Sequence, residues 1–323
     1  MTFVILTLAS FVNRLDSIGI AGFSHDFGSL DGKKSAVATV FETFGTLKPS
    51  VLTKFILLFS QTFPILFRIP TPLSRLERQL NSSTQGIADE LLENTRKESY
   101  GTNTAEKSII GVLIKAEDQD ASLHLSQEEI MAQMKVLILA GYETTSISLT
   151  WALIELSKKP EKQVKLRKEL AGFAGADPTW DQLTNGLPYL DAVVHEILRL
   201  HAPVSQITRV ATADDVIPLS VPVQTASGKR VDSIYVPKGQ TIMVPIECIN
   251  RSEAVWGADA KEFVPERWLD GGVPKKAHEI QGHRHLLTFS DGARMCLGRG
   301  FALAEFKVGS AALLHEFAHA DRS

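Results

Sequence analysis

A run of apolar residues at helical spacing opens at Ser126 and continues to Leu156, with Pro160 as its stop. Ser126 and Glu129 carry the spacing of a capping box, in which each end of the pair satisfies a backbone N–H of the first turn. A helix of this length in a globular chain is normally buried through the middle of its domain. The chain is therefore expected to form one large, mainly α domain around it. Shorter helices are expected over 161–173 and 189–200, and a last one from just after Cys296 to about 315. Strand-like runs lie at 210–219, 232–237 and 241–246, with Pro237-Lys238-Gly239 as a turn signal. Upstream, residues 1–70 carry helical periodicity with a Gly-rich interruption, 76–92 is helical again, and 96–104 reads as a loop. Residues 250–286 are rich in loop formers. The fold class is mainly α with a small β-sheet part.

The chain has 323 residues, 44% of them hydrophobic and 22% charged, which places it among globular rather than disordered sequences. A net charge of −3 argues against a nucleic-acid binder. Cys248 and Cys296 are the two cysteines, too few for a disulfide framework, so at least one thiol is free for chemistry. The apolar opening at 1–12 is too short to cross a bilayer and is expected to pack in the core. The stretch 51–69 is broken by Lys54, Gln61, Pro64 and Arg68. It reads either as buried amphipathic helices or as a surface that dips into a membrane interface.

The sharpest local feature is FSDGARMCLGRGFALAEF, from Phe289 to Phe306. Gly292 and Gly298 flank Cys296 and allow the backbone to bend around the sulfur and approach a flat ligand. A helix N-terminus directed at a cysteine favours thiolate, the form iron takes as an axial ligand. Arg294 stands where a guanidinium can pair with a carboxylate of such a ligand. The alternative is a structural cysteine at a helix start. Two further patterns carry less information alone. Gly141, within Ala140-Gly141-Tyr142-Glu143-Thr144-Thr145, is costly inside a helix and suggests a local kink or an open hydrogen bond. Glu196 and Arg199 share one side of a helix and would ordinarily be a surface pair of little worth.

Together these segments resemble the cytochrome P450 family, of the fungal, microsomal type. Phe289, Ser290, Gly292, Arg294, Cys296, Leu297, Gly298 and Ala302 match its cysteine-loop signature. The resemblance implies a haem b cofactor with Cys296 as axial ligand to the iron and Phe289 beside the thiolate, while Cys248 is left in the core. It places Ala140 and Gly141 against the haem, with Thr144 and Glu143 as the proton-delivery pair. It joins Arg267, in FVPERW, to Glu196 and Arg199 as a structural charge cluster, and puts Val204 and Ile207 against the substrate. The implied activity is that of a monooxygenase: one atom of O2 enters a small, apolar organic substrate. Electrons come from an NADPH-dependent reductase docking near the cysteine loop, where Arg284, Arg294, Arg299 and Lys307 place positive charge suited either to that partner or, for some of them, to haem or structure. The implied home of the full-length parent is the cytosolic face of the endoplasmic reticulum membrane, with residues 51–69 as a further contact. The nine histidines show no metal-ligand context, and His315 and His319 read as surface residues.

Family members also carry an N-terminal anchor, early helices and sheet, and a C-terminal hairpin that have no counterpart here. The sequence thus reads as a single incomplete P450 domain, 1–323. Two expectations follow: this chain alone folds poorly or binds haem weakly, and a non-catalytic remnant is the rival to an enzyme.

Overall fold

The computed structural model describes residues 124–173 and 179–320 continuously, with side chains to 312, the helix at 109–115, and single positions or short runs between 16 and 93. The apolar opening at 1–12 lies outside the described residues, as do most of 51–69, the loop at 96–104, and the side chains of His315 and His319. The chain divides into two compact units, Met1–Thr150 and Trp151–Ser323.

In the first unit, described positions from 75 to 93 are helical, and α1 spans Ile109–Lys115. The long helix α2 spans Gln127–Lys158 and belongs to the second unit from Trp151 on. The expected capping box is made: Ser126 N–H donates to Glu129 Oε2 at 2.8 Å, and Glu129 N–H donates to Ser126 Oγ at 3.3 Å. Burial of this helix is confined to part of its circumference. Ile130, Met134, Ile138, Thr145 and Leu149, four to seven residues apart, form a buried stripe. Val136, Ala140 and Glu143, on another face, are exposed. Apolar residues occur all round this helix, so hydrophobicity alone did not reveal which side packs.

In the second unit, α3 (Pro160–Leu170), α4 (Trp180–Asn185) and α5 (Pro188–Leu200) follow in order. Pro160 thus starts a helix as well as ending one, which suits a residue with no N–H to satisfy. Helix α4 was not expected, although Thr179 and Gln182 form a complete capping box. Helix α5 is the centre of this unit, buried from Tyr189 to Leu200 except at Asp191. Its N-cap Leu187 has no side-chain acceptor. The Glu169 carboxylate of α3 substitutes, accepting from the N–H groups of Tyr189 and Leu190 at 2.8 Å each.

Four strands then form two antiparallel pairs. β1 (Ile207–Val210) pairs with β4 (Thr241–Val244), Ile207 opposite Val244. β2 (Asp215–Gln224) pairs with β3 (Arg230–Val236), and the register is irregular between Pro218 and Val223. Pro218 and Pro222 supply no N–H there, and proline is confined to such irregular or edge positions. α6 (Ile246–Asn250) leads into the stretch read as loop and α7 (Glu253–Trp256) lies within it; both are too short to show a period. Helix α8 (Arg299–Ala320) closes the unit and packs on α3, α4 and α5.

Candidate functional site

The cysteine loop is built from both sides. On its N-terminal side, Thr288 Oγ1 donates to Leu198 O of α5 at 2.8 Å, and Asn250 Nδ2 donates to Thr288 Oγ1 at 2.9 Å. Leu287 N–H donates to the same Asn250 at 3.3 Å. Asn250 is fully buried, so this amide joins the end of α6 to the approach of the loop. The chain then turns sharply, with Ser290 at φ 59° and Gly292 at φ 65°. Glycine adopts the second of these without strain. A 3₁₀ turn covers Gly292–Arg294. Cys296 N–H donates to Phe289 O at 2.8 Å and closes the loop. Helix α8 begins three residues later at Arg299.

Cys296 is an exposed free thiol. Leu297 beside it is 85% exposed and Met295 is also exposed. A Cβ added at Gly292, Gly298 or Gly300 would meet nothing within 4 Å. Arg294 is exposed and Ala302, one turn into α8, is half-buried. Among the described residues Arg294 makes no ion pair. A thiol on a bent loop, amid uncovered apolar side chains, open glycines and a spare guanidinium, is a donor set that fits a flat, iron-bearing macrocycle with acidic side arms. Cys248, expected in the core, is exposed on α6. That short helix buries Ile246 and Asn250, and the thiol falls on its outer side.

Glu196, Arg199 and Arg267 come together in the structure. Glu196 and Arg199 are fully buried. Arg199 donates Nε and Nη2 to the two carboxylate oxygens at 2.9 and 2.8 Å. The rest of its guanidinium reaches three backbone carbonyls: Asn250, Ala260 and Glu262. Glu196 also accepts from Val264 N–H and Trp268 Nε1, both at 2.9 Å, with Arg267 Nε 3.6 Å away. Arg267 pairs chiefly with Asp259, at 3.0 Å. Hydrogen bonding to Arg267 outweighs partial burial and holds the Asp259 carboxyl below its ordinary range. None of the carbonyl acceptors is marked by sequence pattern, whereas Trp268 ends the FVPERW motif.

The second set of expected residues stands on α2 in the first unit. Ala140 and Glu143 are exposed. Thr144 Oγ1 donates to Ala140 O at 2.9 Å, a local back-bond. Gly141 lies within unbroken helix, and the side chain of Ile18 explains it: an added Cβ would stand 2.7 Å from Ile18 Cγ1. Close packing, rather than an interruption of the helix, accounts for this glycine. Val204 is exposed, and Ile207 opens β1 half-buried.

One expected docking charge is corrected. Lys307 is buried, ion-paired to Asp191 Oδ1 at 2.7 Å and donating to Leu183 O at 2.9 Å. Its position in α8 turns it into the packed side of the helix, away from any partner. Arg284 and Arg294 remain exposed, and Arg299 is half-buried.

Comparison with known proteins agrees with this arrangement. The family model described as Cytochrome P450 matches residues 9–322. The chain is 62% identical over 306 residues to Cytochrome P450 monooxygenase claP of Ampulloclitocybe clavipes, covering 94% of this chain and 57% of that protein. It is 56% identical over 321 residues to claU of the same organism, covering 97% of this chain and 59% of that protein. Identity to Cytochrome P450 monooxygenase 128 of Postia placenta is 37% over 310 residues, covering 91% of this chain and 56% of that protein. The chain therefore spans 56–59% of the length of these relatives. With a mainly helical fold, two small antiparallel sheets and the cysteine loop in place, the chain belongs to the cytochrome P450 family.

Proposed function

We propose that this chain acts as a haem-thiolate monooxygenase that places one atom of O2 into an apolar organic substrate and releases the other as water, with electrons from an NADPH-dependent reductase. The observation that carries the reading is Cys296, an exposed thiol on a loop closed by its own N–H and followed by a helix N-terminus. When bound, haem b supplies the iron at which O2 is activated.

Cys296 Sγ, as thiolate, would hold the haem iron. Arg294 pairs with a haem carboxylate, and Gly292 and Gly298 leave its face uncluttered. Ala302 is small enough to stay clear of the ring, and Phe289 covers the sulfur from behind. Ala140 and Gly141 are the helix positions assigned to the opposite face. Glu143, exposed to solvent, takes up protons at its carboxylate, and Thr144 Oγ1 passes them on. In the structure that hydroxyl donates to Ala140 O; to pass a proton on, it accepts one at a lone pair and turns its own hydrogen from Ala140 O to the next acceptor. Val204 and Ile207 are assigned to the substrate. Arg284, Arg294 and Arg299 offer positive charge to an acidic reductase surface. Residues 51–69 are assigned to contact with the endoplasmic reticulum membrane; Val51 and Phe55 in that stretch are exposed.

The test is the reduced, CO-bound difference spectrum of the haem-loaded chain. A Soret band at the thiolate position, kept in Cys248→Ser and lost in Cys296→Ser, supports the assignment. A band unchanged in Cys296→Ser refutes it.

A further inference from the structure

We propose that His283 and His195 are positioning residues for the cysteine loop, two imidazoles in tilted contact that set Phe289 and, through it, the backbone of Cys296. The functional meaning of this rests on Cys296 being the haem ligand; the geometry does not.

The observations form a chain. The Phe289 ring stands edge-on to His283, 6.1 Å between centroids at 70°. His283 lies 5.6 Å from His195, and His195 lies 5.5 Å from the Trp268 indole. Trp268 is itself fixed by its bond to buried Glu196. His195 is oriented from α5, since Nδ1 faces Asp191 O at 2.8 Å and Asp191 Oδ2 at 3.3 Å. Both neighbours accept, so Nδ1 carries the proton and the ring cannot flip without losing it. Asp191 also holds Lys307 of α8 at 2.7 Å. One turn of α5 thus grips both flanks of the loop, Phe289 through the imidazoles and α8 through Lys307. Phe289 O in turn accepts from Cys296 N–H.

Nothing in the loop motif requires these histidines. The Nε2 atoms of both are buried and have no hydrogen-bond partner among the described residues. Polar atoms left in that state are costly, which marks the rings as retained for shape and contact. The charged groups facing the pair are Asp191 from α5, Arg284 beside His283, and Arg299 and Lys307 from α8. Burial is the first cause that keeps His283 neutral, followed by the charges of His195, Arg299 and Arg284. A neutral ring offers Phe289 an edge contact without placing charge behind the sulfur.

The experiment is amide hydrogen exchange at Cys296 in residues 1–323. His283→Ala is expected to speed exchange of that amide by about three- to tenfold, the size of one lost aromatic contact, with the amides of α5 unchanged. His283→Phe is expected to restore protection, because it keeps the edge and discards only polarity. His195→Ala, one ring further away, is expected to shift the same amide in the same direction by less. The proposal is overturned if Cys296 exchange is unmoved in a folded His283→Ala. It is equally overturned if Cys296 and α5 loosen together in both Ala and Phe variants. With haem bound, the share of thiolate-type Soret band should fall in His283→Ala and recover in His283→Phe. If the unmutated chain shows no such band, the ligand assignment fails and the exchange result alone decides the positioning role.

Discussion

Arg199→Met is the perturbation that the structure makes most quantitative. The guanidinium is fully buried and serves five acceptors: both oxygens of Glu196 and the carbonyls of Asn250, Ala260 and Glu262. Methionine fills much of the volume and supplies none of the donors. Breaking a buried pair from one side costs about 3–5 kcal/mol, because the charge left behind has lost its partner. Glu196 keeps Val264 N–H and Trp268 Nε1, so much of the penalty falls on the three stranded carbonyls. Against a net stability of about 5–15 kcal/mol for a typical domain, this is a large fraction. The four tryptophans, Trp151, Trp180, Trp256 and Trp268, all lie in the second unit. Urea unfolding followed by tryptophan fluorescence therefore reports on that unit. With a slope of about 2 kcal/mol per M, a loss of about 4 kcal/mol moves the midpoint by about 2 M. Glu196→Leu alone should cost a similar amount. The double variant should cost less than the sum by at least about 1 kcal/mol, since neither charge is then stranded. A cost below about 1 kcal/mol for Arg199→Met, or strict additivity of the pair, would refute the reasoning.

Three further outcomes are expected. His283 is held down at about 4, against an ordinary 6.5, first by burial and then by the charges of His195, Arg299 and Arg284; the unfolded chain therefore takes up its proton first, and stability is full above about pH 6.5 and falls towards pH 4. His283→Phe should flatten the change in urea midpoint between pH 7 and 4.5 by removing that titration. Gly141→Ala should destabilise the first unit by about 1–3 kcal/mol, because the clash with Ile18 outweighs a gain in helix propensity of about 1 kcal/mol; limited proteolysis should show it, and Ile18→Ala should relieve it. Glu143→Gln should lower product turnover about a hundredfold while leaving the Soret band in place; unchanged turnover would remove Glu143 from proton delivery.

What was legible in the sequence depended on whether the cause is local. The Ser126–Glu129 capping box, the strand runs around Pro237-Lys238-Gly239, and the cysteine loop are short-range patterns, and all appear where the residues place them. Glu196 and Arg199 were legible as a spacing, and Arg267 joined them only through the family resemblance. Their weight comes from carbonyls and an indole supplied by distant loops, which no periodicity announces. Asn250 is invisible for the same reason, since its amide acts through a threonine 38 positions away. Lys307 looked like a surface charge because its partner Asp191 is more than a hundred residues earlier. Gly141 misled in a different way: glycine within a helix signals either weakness or close approach, and only the position of Ile18 decides between them.

The Arg199 guanidinium has a kinetic consequence as well as an energetic one. Its carbonyl partners lie 51, 61 and 63 residues along the chain from it. Loops of that length must close before the cluster gains anything, and the closures cost entropy in advance. The cluster is therefore expected to form late, after the folding barrier has been crossed. Substitutions there will chiefly accelerate unfolding and leave the folding rate almost untouched, so this arginine acts as a latch on the lifetime of the native fold.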